Sequence, residues 1–140
     1  MLSYDQWLAC LCLWREARGS SLPALTAIWW VLQNRLASPK FPKSLPAVIL
    51  QHNQFSSFNA NDPNAVKFPL PPIGNTVASA DWNAYQDCVT VVTTMLGADP
   101  TDGSLFYESL PEAPTTGWWA TLEMTVTIGP FRFYRPKVTA

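Results

Sequence analysis

The chain has 140 residues, a formal net charge of −1 and 48% hydrophobic residues. That length suits one compact domain, and the charge excludes a strongly basic nucleic-acid binder. Seven Trp and seven Phe exclude a disordered chain, and no run of about 18 apolar residues is present to cross a membrane.

Ser3-Tyr4-Asp5-Gln6 reads as a capping box, with Ser and Gln satisfying the free backbone N–H groups of a helix start. The helix it opens is predicted to run to about Ala17, with Gly19 as its stop. Trp7, Leu8, Ala9, Leu11, Leu13 and Trp14 make it apolar nearly all round, which belongs in the middle of a core. The apolar stretch Trp7–Trp14 is short, follows Asp5, and has neither a preceding Lys or Arg nor a small-residue cleavage site. No secretory signal peptide is therefore expected. Ser21 and Pro23 mark a second helix start. Leu25, Ile28, Trp29, Leu32 and Leu36 follow at helical spacing to about Ala37.

Ser38-Pro39-Lys40-Phe41-Pro42 breaks the pattern, and Ser44 can cap a short helix over Leu45–Gln51. From His52 to Thr76 the chain is rich in Asn, Pro and Phe with little periodicity, a long loop of the kind that carries function. Trp82, Tyr85, Val89, Val92 and Leu96 predict a helix from about Ser79 to Leu96, closed by Gly97. Residues 99–103 form a turn and Leu105–Glu108 a short strand. Met124–Ile128 and Phe131–Arg135 alternate around Gly129-Pro130 as a hairpin. Helices first and strands last imply an α+β, mainly helical domain spanning residues 1–140.

Cys10, Cys12 and Cys88, with His52 alone, form no zinc set and read as buried free thiols. Glu16 is the most informative residue. It continues the stripe Leu8–Cys12 by fours, at the end of an otherwise apolar helix. Desolvation and the negative end of the helix dipole both favour its protonated form, as a glycosidase proton donor requires. The alternative is a surface Glu at a frayed helix end, with Arg15 and Arg18 exposed. Neither arginine is an i±3 or i±4 neighbour of Glu16, so the helix forces no ion pair.

Residues 15–19, Arg-Glu-Ala-Arg-Gly, resemble the Gly-Glu-Ala-Arg-Gly-Glu signature of the SleB-type cell-wall hydrolases, the spore cortex-lytic family. The resemblance continues in order. Val31 with Asn34-Arg35 is similar to that family's Val-x-x-Asn-Arg helix end, and residues 38–42 to its Ser-Pro-x-Phe-Pro turn. Val48 to Gln51, then Gln54-Phe55-Ser56, resemble its Val-Val-x-Gln and Gln-Phe-Ser segments. Residues 99–103 with Phe106-Tyr107 are similar to its Asp-Pro-Thr-x-Gly and Phe-Tyr-Asn, and Ile128-Gly129 with Phe133-Tyr134 to its closing motifs. The chain departs at Arg15 (Gly in the family), Ser20 (a second Glu), Glu108 (Asn) and Pro130-Phe131 (Asn-His).

The resemblance implies a lysozyme-like fold acting on peptidoglycan glycan strands, by lytic transglycosylase chemistry at the bond between N-acetylmuramic acid and N-acetylglucosamine. Glu16 is then the catalyst, and no metal or cofactor is needed. Gln54, Phe55 and Ser56 are candidates to line the groove, against the alternative of a loop anchored by Phe55. Tyr107 could bind the sugar acetamido group or orient Glu16, the alternative being a buried core Tyr. Trp118 or Trp119 could stack on sugars, with at least one of the pair in the core. Glu108 is a further substrate-contact candidate. With Asp102 and Glu112 it is also a candidate second carboxylate, the bland expectation being three solvated surface acids. His52 reads as a loop residue.

The expectation is a monomeric catalytic domain made in the host cytoplasm and acting at the bacterial wall as a phage endolysin in bacteriolysis. It has no nucleic-acid partner and no integral membrane segment. A hydrolytic muramidase with a second carboxylate and a non-catalytic peptidoglycan-binding module are the rivals.

Overall fold

The computed structural model describes residues 1–51, 58, 61–94, 97–110 and 120–137. Four helices and a three-stranded sheet are formed by α1 (Tyr4–Ala17), α2 (Leu22–Ala37), α3 (Leu45–Leu50), α4 (Ala80–Thr94), β1 (Phe106–Ser109), β2 (Leu122–Ile128) and β3 (Phe131–Pro136). A short 3₁₀ turn, Pro63–Val66, lies in the long segment between α3 and α4.

The helix starts follow local chemistry. Ser3 and Gln6 form the full reciprocal capping box of α1. Ser21 and Ser44 each cap the N–H three residues on, with Pro in the first turn of the helix that follows. From Leu8 to Ala17 every residue of α1 except Glu16 is buried, and α2, α3 and α4 pack around the helix. Trp14 fixes one of these contacts, its indole N–H donating to the Asp81 carbonyl at 3.0 Å. All three cysteines are buried free thiols, and burial pushes Cys10 and Cys88 up to about 12. Among the described residues no helix is long and apolar enough to cross a membrane.

The ends of elements move slightly from expectation. Gln51 is the C-cap of α3 rather than its last residue, and α4 begins at Ala80 rather than Ser79. Leu96 lies outside the described residues. The first strand is shifted by one residue, to Phe106–Ser109. It also joins the hairpin, giving an antiparallel sheet in the order β1-β3-β2. Tyr107 stands opposite Phe133, and Glu108 opposite Arg132.

The β2–β3 register slips between Met124 and Val126. At that bulge the Thr125 hydroxyl sits 2.7 Å from the Ser104 hydroxyl, tying the sheet to the turn before β1. Gly129, in the hairpin turn, has φ +57°, and a Cβ there would stand 3.4 Å from the Ala24 Cβ of α2. The positive φ would strain a side chain there, while the Ala24 contact is ordinary van der Waals packing against the helix.

Candidate active site

Glu16 lies in the last turn of α1, half-buried between buried Arg15 and Ala17. Its Oε1 accepts a hydrogen bond from the Tyr107 hydroxyl at 2.8 Å, a contact between the helical part and strand β1. Burial first, then the charge of Glu16 and the hydrogen bond to it, push Tyr107 well above the ordinary tyrosine value. The phenol therefore stays protonated and donates a hydrogen bond to the carboxyl group. The Tyr107 ring packs edge-on to Phe131, centroids 5.7 Å apart, and against Phe133 at 5.9 Å, which fixes where the hydroxyl points.

The pairing depends on how β1 is delivered. At the end of α2, Asn34 donates to Asp99 Oδ2 at 2.9 Å and to the Ser104 carbonyl at 3.0 Å. Arg35 Nε donates to the Leu105 carbonyl at 2.7 Å. Asp99 also accepts from the Thr101 N–H and hydroxyl and from the Gly103 N–H. Burial pushes the Asp99 carboxyl up, but these hydrogen bonds from Thr101, Asn34 and Gly103 outweigh it and hold it below its ordinary value. Asp102 at φ +52° and Gly103 at φ +77° complete the tight turn. The paired residues Asn34 and Arg35 thus hold the turn from which Phe106 and Tyr107 emerge.

Arg35 is a site residue that the sequence reading does not identify. It is buried, its guanidinium carbon 5.1 Å from the Phe41 ring centre and 5.5 Å from that of Phe106. Burial lowers its pKa, while the nearby Tyr107, Cys12 and Glu16 act the other way. It is a fixed positive charge close to the Glu16–Tyr107 pair. The available signal was its place seven residues after Ile28 and three after Leu32, a charged residue on the buried face of α2.

Arg15 and Arg18 are not the exposed arginines of the alternative reading. Arg15 is buried, with Nε donating to the Lys67 carbonyl and Nη2 to the Ala65 carbonyl, both at 3.1 Å. Its guanidinium carbon lies 4.8 Å from the Phe58 ring centre and 4.9 Å from that of Phe68. Arg18 Nη2 donates to Asn64 Oδ1 at 2.9 Å, and its guanidinium carbon stands 4.2 Å from the Trp14 ring centre. The two arginines flank Glu16 in sequence and bind one segment, residues 64–67, along the turn that carries it.

Among the described residues, the acids that could act as a second carboxylate, Asp99, Asp102 and Glu108, are engaged elsewhere. Asp99 is consumed by its turn. Asp102 is exposed and pairs with Arg135 at 2.7 Å. Glu108 is a correction: it is buried rather than solvated, accepting from the Tyr134 hydroxyl at 2.7 Å with Arg132 Nη1 4.0 Å away. Adjacent strand residues face opposite ways, so Glu108 and Tyr107 project from opposite faces of β1. The structure brings Tyr107 to Glu16 and does not bring Glu108 there. Gln54, Phe55, Ser56 and Trp118, together with His52, Glu112 and Trp119, lie outside the described residues. Among the described residues no three His, Cys, Asp or Glu side chains cluster to hold a metal ion.

The fold is similar to that of the catalytic domain of the germination-specific lytic transglycosylase SleB from Bacillus anthracis. The identity is 24% and the TM-score 0.64, over 96% of this chain and 97% of that one. It is also similar to the catalytic domain of the Bacillus cereus SleB protein, at 22% identity and a TM-score of 0.65, over 94% of this chain and 89% of that one. No curated protein sequence matches the chain. The family model described as Cell Wall Hydrolase matches residues 19–134, beginning just after Glu16 and running through the turn at 99–103, the Phe106-Tyr107 pair and the hairpin. On that match the chain belongs to the cell wall hydrolase family of peptidoglycan-degrading enzymes.

Proposed function

We propose that the chain is a lytic transglycosylase that cleaves the bond between N-acetylmuramic acid and N-acetylglucosamine in peptidoglycan, with Glu16 as acid and then base. The observation that carries this reading is the 2.8 Å hydrogen bond from Tyr107 to Glu16 Oε1. It presents a half-buried carboxyl group in a fixed orientation where the helices meet the sheet.

With Tyr107 donating to Oε1, a proton carried by Glu16 resides on Oε2. From there it passes to the glycosidic oxygen as the bond to the muramic C1 breaks, and the glucosamine residue leaves as an alcohol. The muramic acetamido oxygen stabilises the electron-poor C1, as in substrate-assisted glycosidases, which need no second carboxylate. Glu16, now ionised, takes the proton of the C6 hydroxyl as that oxygen bonds to C1. The product is a 1,6-anhydro ring, and Glu16 is again protonated. Asp99, Asp102 and Glu108 are each bound to other groups, which favours this one-carboxylate route over a two-carboxylate muramidase.

Residues 1–140 act in this reading as one catalytic domain and as a monomer, and Gln54, Phe55, Ser56 and Trp118 contact the glycan strand. The proposed setting is bacteriolysis, as an endolysin, tested by adding purified protein to outer-membrane-permeabilised cells and following turbidity. The chemistry is tested by mass analysis of fragments released from purified peptidoglycan. The expected muramic ends are lighter by one water and resist borohydride reduction. Reducible muramic ends as the main product overturn the lyase reading in favour of a muramidase.

A further inference from the structure

Segment 64–70 is anchored by Arg15 and Arg18 to the turn of α1 that carries Glu16, yet presents an apolar outer surface. Val66 is 80% exposed, Phe68 52% and Leu70 73%. Single exposed apolar residues need no explanation, but three in five residues, on a segment tied to the turn that carries Glu16, do. The anchoring is strong where it matters. Arg15 spends its planar fork on the carbonyls of Ala65 and Lys67, and its guanidinium lies against the Phe68 ring. Arg18, about one helical turn on from Arg15, holds Asn64. Phe68 is therefore a half-open aromatic ring on backbone tied to α1, with the Arg15 guanidinium against it.

We infer that Phe68, backed by Arg15, is a stacking platform for a pyranose ring of the glycan strand next to the cleaved bond. The apolar C–H face of a hexopyranose matches a flat ring, and the methyl groups of N-acetyl or lactyl substituents match Val66 and Leu70. Arg15 is the positioning residue of this platform. It stands where the resembling family has Gly, which has no side chain to reach the Lys67 carbonyl or the Phe68 ring. The arrangement is thus a feature of this chain's own sequence. The inference rests on Glu16 as the catalytic centre, because only then must the strand pass along this turn.

The test is steady-state kinetics on soluble glycan fragments, together with sedimentation of each variant on purified insoluble peptidoglycan. The sedimentation is done in a Glu16→Gln background, so that binding is read without cleavage. Phe68→Ala is expected to raise KM roughly five- to tenfold with kcat within about twofold, and to weaken sedimentation by a similar factor. Phe68→Trp is expected to restore or tighten both. Arg15→Lys keeps the charge but loses the fork and the flat stack, and is expected to raise KM about threefold or more. Phe68 is half-exposed, so its variants are expected to melt with the parent.

Unchanged KM and unchanged sedimentation for Phe68→Ala overturn the platform, as does a loss confined to kcat. Failure of the catalytic assignment reads out separately, as residual cleavage by Glu16→Gln alone.

Discussion

Two glutamates in this protein each accept a hydrogen bond from a tyrosine, and the pairs project from opposite faces of strand β1. Glu16 accepts from Tyr107 at 2.8 Å and Glu108 from Tyr134 at 2.7 Å. Their surroundings differ in what can reach them. Glu16 lies in the last turn of α1, is half-buried, and meets β1 through Tyr107. Glu108 lies within the sheet, buried, beside Arg132 and Tyr134. Its Oε2 is buried without a hydrogen-bond partner among the described residues. The same pair of side chains thus makes an accessible acid in one place and a strut in the other. Burial, rather than the identity of the hydrogen-bond donor, separates the two.

Variants that leave both glutamates in place sharpen the contrast. Tyr107→Phe removes the donor that orients Glu16. A hydrogen bond to an ionisable partner of this kind is worth about 1.5–3 kcal/mol, so kcat on purified peptidoglycan is expected to fall roughly 10- to 100-fold. An unchanged kcat would break the link between the Tyr107–Glu16 pair and catalysis. Spectroscopic titration of the same phenol should find no phenolate from Tyr107 as the pH passes the ordinary tyrosine value of 10.0, because burial and the Glu16 charge oppose its ionisation. Tyr134→Phe, on the other face, is expected to cost about 1–3 kcal/mol of stability by stranding a buried carboxylate oxygen. Its kcat should stay within about threefold of the parent, as read by chemical denaturation beside the activity assay.

Asp99 gives a smaller effect with a definite sign. Its folded pKa lies below the ordinary 3.8. A depressed carboxylate contributes stability that is fully present above its unfolded pKa and is lost as pH falls through the folded one. Denaturation midpoints of the wild type should therefore drop more steeply than those of Asp99→Asn as pH is lowered below about 4. Parallel pH profiles for the two proteins would remove Asp99 from the account of how the turn before β1 is held.

The helices were legible because their signals are local. Ser3 and Gln6, Ser21 and Pro23, and Ser44 each act within three residues along the chain. Glu16 stood out for a similar reason, as a carboxylate on an apolar stripe, and Tyr107 was named as a residue able to orient it. The sheet was less legible, since pairing Tyr107 with Phe133 joins residues far apart in sequence, and β1 read alone is too short to show its partner. Glu108 was misread for the same reason. Its burial comes from Tyr134 and Arg132 across the ladder, and a strand of four residues carries no periodicity that reveals this. The roles of Arg15 and Arg18 depend on an irregular segment about 50 residues away, which no helical spacing could have shown.

In the proposed function Glu16 carries the proton chemistry while Glu108 holds the sheet. The direct measurement is fragment release from purified peptidoglycan by Glu16→Gln and Glu108→Gln, with the melting temperature of each. Glu16→Gln should lose activity by the ~10²–10⁴-fold that general acid–base catalysis supplies, with its melting temperature close to that of the wild type. Glu108→Gln should melt lower and keep activity within about threefold, since the buried pair serves stability. A Glu16→Gln protein that keeps more than about a tenth of the wild-type rate, or a folded Glu108→Gln protein that is inactive, would contradict the account.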